Sequence, residues 1–249
     1  MEPVTKFAKD NWSDKAHLVL NSHSDWDHVW GNCAFAGALI IAHQKTYEFM
    51  ADDGRWEYAL CSWSEAKNGT VERSLPTLTF AKEINFPEDD LTFFHSPGHT
   101  VDSSTLWDSR DGVLFVGDNL ELPLPYLQSH DFEAYINTLE RYLELEPETI
   151  ITSHSGIVPS SLITKTKEYL EFVASSFDDG QIPILENEED GALALHQSNL
   201  FSLIVSRVEE KAKELWGEEF TTKRFIDFVE ENKSDVVESL EAMLLAALV

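Results

Sequence analysis

Four side chains able to bind a metal ion fall within six residues of each other near the start of the chain. They are His23, Asp25, Asp27 and His28, in the segment NSHSDWDHVWG. On an extended backbone, alternate side chains point the same way, so 23, 25 and 27 share one side and a turn brings 28 round. Two ionised carboxylates this close repel each other unless a cation compensates them. Because no Lys or Arg lies between positions 16 and 44, the segment predicts a metal site.

Three further potential ligands each follow directly on an apolar run that predicts a strand. His99 comes after LTFFH, Asp118 after GVLFV and His154 after TII. Loops at the ends of neighbouring strands meet at one rim of a sheet, where binding residues are usually placed. Together the seven side chains are enough for two metals. Their nitrogen and oxygen atoms suit zinc, iron or manganese.

In this order the pieces resemble the metallo-β-lactamase superfamily, whose pattern is His-x-His-x-Asp-His, then a Gly-His, a Gly-Asp and a final His. The resemblance spans residues 17–158 and implies a four-layer αββα sandwich with a dinuclear site at one edge. It implies that His23 and His99 bind the first metal. The second metal would be held by Asp27, His28 and His154, with Asp118 as the bridge. Two divalent ions are therefore expected, zinc before iron.

The sequence departs from the family pattern in two places. Asp25 stands where most members have their second His, so an anionic oxygen replaces a neutral nitrogen at the first site. The flavodiiron branch carries a Glu at this position, which makes iron the alternative to zinc. About sixteen residues precede the first predicted strand, where the family normally has two or three strands. We therefore expect part of the first sheet to be missing.

Beyond the ligands, the resemblance and the loops indicate residues that would meet substrate. Asp27 is the expected catalytic residue, since it would orient the attacking nucleophile as well as hold the second metal. Trp26 lies inside the ligand segment, and Tyr126 and His130 lie in the loop that leaves the rim at Asp118. We predict that these three border a substrate pocket. Other histidines are expected to be structural, namely His17, His43 and His95.

Sheet and helix patterns occupy different parts of the chain. Short apolar runs predict strands at 17–22, 38–42, 91–95, 104–107, 112–117 and 149–153. Helical periodicity appears at 132–145, 161–175, 192–216, 222–231 and 235–249. This mixture indicates an α+β fold. We divide the chain into a metallo-β-lactamase-like domain at 1–176, an acidic linker at 177–191 and a helical extension at 192–249.

Charge and hydropathy narrow the choice of partners. Among 249 residues, 18 are Lys or Arg and 45 are Asp or Glu, which gives a net charge of −27. Such a field repels phosphate and anionic lipid, so nucleic acid and membrane partners are not expected. The sequence contains neither an apolar run of about 18 residues nor a signal-peptide pattern, and a cytoplasmic location is predicted. The apolar segment 235–249 must bury itself, and a homodimer is the favoured arrangement.

The expected activity is metal-dependent hydrolysis of a small molecule. A hydroxide shared by two metals would attack a small ester, thioester, lactone or amide. One alternative is a diiron oxidoreductase of flavodiiron-like type without its flavin domain, which the carboxylate at position 25 suggests. The other is a degenerate, non-catalytic metal-binding protein. Metal content would separate the three, since two zinc, two iron or none per chain would favour them in that order.

Overall fold

The computed structural model describes residues 6–7, 10–11, 17–35, 37–67, 69–178, 185 and 191–232. These ranges contain nine strands, namely β1 (Leu18–Leu20), β2 (Leu39–His43), β3 (Leu78–Phe80), β4 (Glu83–Phe86), β5 (Leu91–His95), β6 (Ser104–Asp108), β7 (Val113–Phe115), β8 (Thr149–Thr152) and β9 (Gly156–Val158). They also contain seven α-helices, namely α1 (Trp26–Val29), α2 (Gln44–Ala51), α3 (Asp53–Ser62), α4 (Phe132–Glu144), α5 (Ser161–Asp178), α6 (Ala192–Trp216) and α7 (Thr222–Asn232).

The strands form two sheets. The first has the order β1-β2-β3 with parallel pairing throughout. The second runs β4-β5-β6-β7-β8-β9 and is antiparallel except for the β7–β8 pair. A parallel pair needs a crossover connection, and α4 provides it between β7 and β8.

Alternating side chains on β5 divide the interior into two layers. Phe93 packs with Ile41 and Phe80 of the first sheet, whereas its neighbour Phe94 packs on the opposite face with Tyr142 of α4. Successive strand residues point to opposite faces, so one strand can contribute to both layers. On the outer side of the first sheet, α1, α2 and α3 enclose a cluster built on Val29, Trp30 and Met50. The layer order is therefore helix, sheet, sheet, helix.

Helix α4 shows how the sequence builds the outer layer. Asp131 caps its first turn by accepting a hydrogen bond from the backbone N–H of Ala134 at 3.0 Å. Its buried residues include Tyr135, Leu139 and Tyr142, which recur at helical spacing and face the second sheet. The same core includes Leu203 of α6, so the C-terminal helices pack against the sheet domain.

Each of the six predicted strands overlaps an observed one, and four of the predicted helices are present. The sequence pattern does not predict β3, β4 or β9, which have three or four residues each. It also misses α2, whose first turn is capped by the side chain of His43. Most of the predicted linker and the predicted helix at 235–249 lie outside the described residues. The absence of leading strands from the first sheet stays a prediction. Among the described helices, none is long and apolar enough to cross a membrane.

Candidate metal centre

The ends of four strands meet at one rim and bring the predicted ligands together. His23 follows β1, His99 follows the turn after β5, Asp118 follows β7 and His154 follows β8. The two sheets are joined at this point by a hydrogen bond of 2.7 Å from the backbone N–H of Ser104 to the carbonyl of Ser22. The ligand-bearing loops of both sheets therefore share a fixed frame.

Two glycines allow the loops to approach this closely. A Cβ at Gly98 would lie 2.5 Å from Oδ1 of Asn119, which accepts the backbone N–H of His99 at 2.9 Å. Gly117 has φ +60° and would place a Cβ 3.1 Å from Ser22. A side chain at either position would displace the adjoining loop, because packed side chains of Asn119, Tyr135 and Ser22 occupy the space.

One carboxylate oxygen lies close to all four imidazoles. The distances from Oδ2 of Asp118 to the Nε2 atoms are 3.7 Å for His23, 3.2 Å for His28, 4.0 Å for His99 and 3.3 Å for His154. Asp118 is 7% exposed, so it meets these rings away from bulk solvent. This is the position required of a bridging ligand.

The remaining side chains divide into two groups on either side of Asp118. In the first, Oδ2 of Asp25 lies 3.6 Å from Nε2 of His23 and 3.2 Å from Nε2 of His99. In the second, Oδ2 of Asp27 lies 3.5 Å from Nε2 of His28 and 3.3 Å from Nε2 of His154.

Two observations fit bound cations, namely the distances between the donor atoms and the presence of buried polar atoms without a hydrogen-bond partner. Zinc bonds of about 2.0–2.1 Å in a tetrahedral arrangement place neighbouring donors about 3.3 Å apart, close to the separations found here. Within the described part of the chain, Nε2 of His23, Nε2 of His28 and Oδ1 of Asp118 are buried without a hydrogen-bond partner. Buried polar atoms are rarely left in this state. The residues present therefore suit two metal ions, and each ligand assignment stays a prediction.

The Nδ1 atoms of three of the imidazoles contact other groups of the protein, and these contacts orient the rings. Nδ1 of His99 lies 2.9 Å from the carbonyl of Tyr126, so it carries the proton and donates it there. Oγ of Ser22 lies 3.1 Å from Nδ1 of His23 and 3.4 Å from Nδ1 of His28. Such second contacts fix the tautomer and leave Nε2 free to bind a metal.

Asp25 occupies the N-cap position of α1 but makes no capping hydrogen bond with its side chain. Its carboxylate turns to the histidines instead, and Nε2 of Gln128 donates to Oδ2 of Asp25 at 2.6 Å. The sequence reading missed Gln128, which lies 103 positions away in the chain. No local signal could have identified it, because the contact depends on the tertiary fold.

The pKa values of Asp25 and His99 also indicate that the carboxylates of this centre favour positive charge beside them. Burial alone would raise the pKa of Asp25, but its contacts with His23 and His99 outweigh this effect and hold that pKa well below its ordinary value. Burial alone would lower the pKa of His99, but its hydrogen bond to Asp25 and the nearby carboxylates raise it to about 9. Asp25 and His99 therefore stabilise each other's charged forms.

Glu121 is a second residue that the sequence reading missed. It follows Asp118 by three positions and is 5% exposed, and its ligand atom groups with those of Asp118 and His154. Burial, followed by the charge of Asp118, raises the pKa of Glu121 to about 7. Its closeness to a predicted ligand in the chain is the one signal that could have drawn attention to it.

A loop held by α6 supports the first group. Asn199 of α6 accepts the N–H of Leu127 at 2.9 Å and donates to the carbonyl of Pro125 at 2.8 Å. These two bonds flank Tyr126, whose carbonyl accepts from His99. Asn199 is 1% exposed, and a third bond of 3.1 Å runs from its Nδ2 to Oη of Tyr169. The helical extension therefore helps to set the position of a ligand-bearing ring.

A cavity of about 1360 Å³ opens onto the centre. Its floor includes Asp25, Asp27, Asp118 and His154. Its walls come from α2 and α3 on one side and from α6 and α7 on the other, and aromatic and aliphatic side chains dominate them, among them Trp26, Trp56, Trp63, Phe201, Val205 and Phe225. The cavity thus lies between the sheet domain and the helical extension.

The predicted pocket residues have different surroundings. Trp26 lines the cavity and stacks on Trp63 at 5.1 Å between ring centroids, and Tyr126 also lines it. His130 is not among the described lining residues. It lies against α6 instead, with Nδ1 3.0 Å from Oγ of Ser206 and Nε2 3.2 Å from a carboxylate oxygen of Glu210.

Comparison with known proteins identifies the family. The model for the metallo-beta-lactamase superfamily matches residues 14–154. The chain therefore belongs to the metallo-β-lactamase superfamily, which confirms the resemblance drawn from the motifs. The match ends at His154, so it includes all seven predicted ligands and leaves Asn199 and the helices after it outside.

Curated relatives are distant and longer than the matched region. The acyl-coenzyme A thioesterase MBLAC2 of Bos taurus is 28% identical over 187 residues, covering 68% of this chain and 64% of the relative. A protein of Aspergillus versicolor, avaE, provisionally named a transcription factor, is 25% identical over 69% of this chain and 56% of its own length. The hydroxyacylglutathione hydrolase of Bdellovibrio bacteriovorus is 26% identical over 80% of this chain and 68% of the relative.

Solved structures share the fold. A metallo-beta-lactamase from Pontibacter korlensis superposes with a TM-score of 0.50 at 19% identity, over 68% of this chain and 76% of its own. FIM-1 from Pseudomonas aeruginosa, in a mono-zinc form, superposes with a TM-score of 0.51 at 15% identity, over 70% of this chain and 74% of its own. TTHA1623, in a di-iron-bound form, superposes with a TM-score of 0.50 at 19% identity, over 68% of this chain and 85% of its own. The fold is thus metallo-β-lactamase-like over about two-thirds of the chain, and it accommodates either zinc or iron in its members.

Proposed function

We propose that this protein is a metal-dependent hydrolase that cleaves an acyl thioester or ester with a largely apolar acyl group. The observation that carries the proposal is the cavity that joins the candidate metal centre to apolar walls on α3, α6 and α7. A pocket of this kind buries most of a ligand through hydrophobic contact, while a few polar groups fix its reacting end.

The lining of the cavity favours an uncharged acyl chain over a charged ligand. Among the described residues that form it, Arg55 is the one Lys or Arg, and its guanidinium lies 3.4 Å from Glu209 across the cavity wall. Trp56 and Phe201 contribute flat apolar surface from opposite sides. An alkyl or aryl chain would gain about 0.8 kcal/mol for each CH₂ that it buries there.

Residues of the chain divide the remaining work. When bound, two divalent ions would generate a nucleophile from water near neutral pH and polarise the acyl carbonyl. Zinc is proposed before iron, because four imidazoles are available. Asp27 would hold and orient the attacking water, since its carboxylate lines the cavity beside His154. Trp26 and Leu127 would exclude bulk water from the reacting end.

The named activities of two relatives support this class of substrate. An acyl-coenzyme A and a hydroxyacylglutathione both carry an acyl group on a thiol, and their hydrolases match 68% and 80% of this chain. Sequence identities of 28% and 26% support hydrolysis of a thioester as the reaction class, but they do not specify the thiol that carries the acyl group. The carrier of the acyl group therefore stays open.

A chain-length series tests the proposal. Acyl thioesters of N-acetylcysteamine with two to sixteen acyl carbons serve as substrates, and kcat/KM is expected to rise by at least about tenfold between the shortest and the best chain. Filling the cavity with Val205→Phe should shift the optimum towards shorter chains. Leu215→Phe, on an exposed position of the same helix, should leave the optimum unchanged. Equal kcat/KM for all lengths, or no hydrolysis by the metal-loaded protein, would exclude the proposal.

A second candidate function is favoured by one residue. Asp25 gives the first group an extra carboxylate, which suits iron, and a diiron oxidoreductase without a flavin domain would use an external electron donor. Two iron ions per chain with no hydrolysis of the thioester series would favour it. A protein that binds metal and lacks both activities would instead be a non-catalytic binding protein.

A further inference from the structure

A buried carboxylate beside the candidate centre has no role in the ligand set described so far. Glu121 is 5% exposed, and its Oε2 has no hydrogen-bond partner in the described part of the chain. The backbone N–H of Tyr126 faces the same carboxylate. Glu121 also lines the cavity, as do Asp118 and His154.

Around Glu121, the carboxylate of Asp118 adds negative charge, and the groups that offset it are His99 and His154, which are themselves predicted metal ligands. A ligand atom of Glu121 lies within 4.8 Å of ligand atoms of both Asp118 and His154. A buried carboxylate without a partner costs several kcal/mol unless a cation or a hydrogen bond compensates it. The one basic side chain among the described lining residues, Arg55, is paired with Glu209 on the opposite wall. Compensation by a Lys or Arg of the cavity is therefore excluded.

We propose that Glu121 is a further ligand of the second metal ion, joining Asp27, His28 and His154. The ligand class is a divalent cation that accepts oxygen donors readily, such as Mn²⁺ or Fe²⁺ as well as Zn²⁺. With Asp118 as the bridge, the second ion would then meet three carboxylates and two imidazoles. This inference rests on the metal centre and does not depend on the hydrolytic activity proposed above.

Extra carboxylate makes the effect of Glu121 depend on the metal. Hard cations such as Mn²⁺ draw most of their binding energy from oxygen donors, whereas Zn²⁺ binds imidazole strongly. Removing one carboxylate should therefore weaken Mn²⁺ at the second site more than Zn²⁺. A residue that merely maintained the local structure would weaken both metals by the same factor.

The test uses Glu121→Gln, which keeps the size of the side chain and an oxygen for the N–H of Tyr126. Metal-free full-length protein is titrated separately with Zn²⁺ and Mn²⁺ in competition with a chelating dye. Outer contacts to metal ligands change affinity by about 10–100-fold, so a direct ligand should raise the Kd of one equivalent of Zn²⁺ at least about tenfold. The Kd for Mn²⁺ should rise by a larger factor. The other equivalent should be unchanged.

A matched variant identifies which equivalent is affected. Asp25→Asn removes a carboxylate from the first group and should weaken the other equivalent, so the double variant should show both losses independently. Metal-free Glu121→Gln should unfold at the same urea concentration as the natural protein or a higher one, because it buries no uncompensated charge. Unchanged Kd values for both metals would overturn the inference. So would equal losses for Zn²⁺ and Mn²⁺ accompanied by a less stable metal-free protein.

Discussion

Asp118 is the residue on which both candidate metal sites depend. Its Oδ2 lies within 4.0 Å of Nε2 of all four imidazoles. Burial alone would raise its pKa, but the contact with His28 and the charges of His23 and His99 outweigh this effect and lower it. A carboxylate in this position could bridge two cations. Its loss should therefore affect both sites together, whereas loss of Asp27 should affect one.

We predict that Asp118→Ala lowers total metal content and not only the rate. The affinity for each of two metals should fall by more than about 100-fold, because a direct bridging ligand contributes more than the outer contacts that already account for 10–100-fold. Equilibrium dialysis followed by elemental analysis measures the content. Asp118→Asn, which preserves shape, should lose metal as well. An Asp118→Ala protein that retained two metals at unchanged affinity would disprove the bridge.

We propose that Asp25 sets the metal preference of the first group. Replacing Asp25 with His restores the usual family pattern and exchanges an anionic oxygen for a neutral nitrogen. We predict that the variant takes up a larger proportion of zinc when equal zinc and ferrous iron compete, because imidazole suits zinc and carboxylate suits harder ions. Elemental analysis after anaerobic competition gives the ratio. An unchanged ratio would show that position 25 does not select the metal.

At the scale of elements, α6 connects the helical extension to the centre. Asn199 holds the backbone on both sides of Tyr126, and Tyr126 accepts from Nδ1 of His99. Gln128 follows in the same loop, where its N–H donates to the carbonyl of His99 at 3.0 Å and its side chain reaches Asp25. Three of these contacts end on residues of the first group, so a shift of the loop would displace that group in particular.

We therefore predict that Asn199→Leu weakens the first metal site and destabilises the fold. Leaving the N–H of Leu127 and the carbonyl of Pro125 unpaired should cost about 2–4 kcal/mol, measured by urea unfolding of the metal-free protein. Metal affinity at one site should also fall. The control is Tyr169→Phe, which removes the bonds of that hydroxyl to Asn199 and to Nδ1 of His196 at a cost of about 1–3 kcal/mol and should leave metal affinity unchanged. Natural metal affinity in Asn199→Leu would refute the link.

The junction between the two sheets contains a pair of stacked histidines. The rings of His43, at the end of β2, and His95, at the end of β5, are 3.8 Å apart and 1° from parallel. His43 donates from Nε2 to the carbonyl of Ala81 and accepts from the N–H of Lys45 at Nδ1, so it is held as the neutral form. These contacts agree with the structural role expected for both residues.

This pair predicts a loss of stability in acid. Burial, and then the neighbouring His95, lower the pKa of His43 to about 4. An unfolded His titrates near about 6.5, so its contribution is complete above that pH and is lost as pH falls from 6.5 towards 4. It amounts to at most about 3 kcal/mol. Metal-free His43→Asn should be less stable at pH 7 but lose less between pH 6.5 and 4.5. Parallel urea midpoints for both proteins over this range would contradict the assignment.

Local patterns in the sequence predict most of the fold and the seven candidate ligands, because each candidate lies in the connection that follows a strand. His99, Asp118 and His154 could be identified in this way. Gln128 and Asn199 could not, because they act through contacts 70 or more positions away along the chain. Helices α2 and α3 escape prediction because they are short, and each begins at a polar side chain, of His43 or Asp52, within a single connection between strands.

At the scale of the whole molecule, the helical extension closes the cavity that the sheet domain leaves open. Oγ1 of Thr222 on α7 donates to Asp52 at 2.7 Å, and Arg55 of α3 reaches Glu209 of α6. These contacts join the two walls around the apolar space. The predicted domain boundaries at 176 and 192 stay a prediction. The homodimer also stays a prediction, because the segment expected to bury itself, 235–249, lies outside the described residues.

The activity that we propose, hydrolysis of an apolar acyl thioester, requires two metal ions at this centre. The most direct measurement is the rate of thioester hydrolysis as Zn²⁺ is returned stepwise to metal-free protein, with bound metal determined at each step. We predict that the metal-free protein is inactive and that the rate rises until about two equivalents are bound and then becomes constant. Full activity without metal, or no activity when two equivalents are bound, would contradict the account.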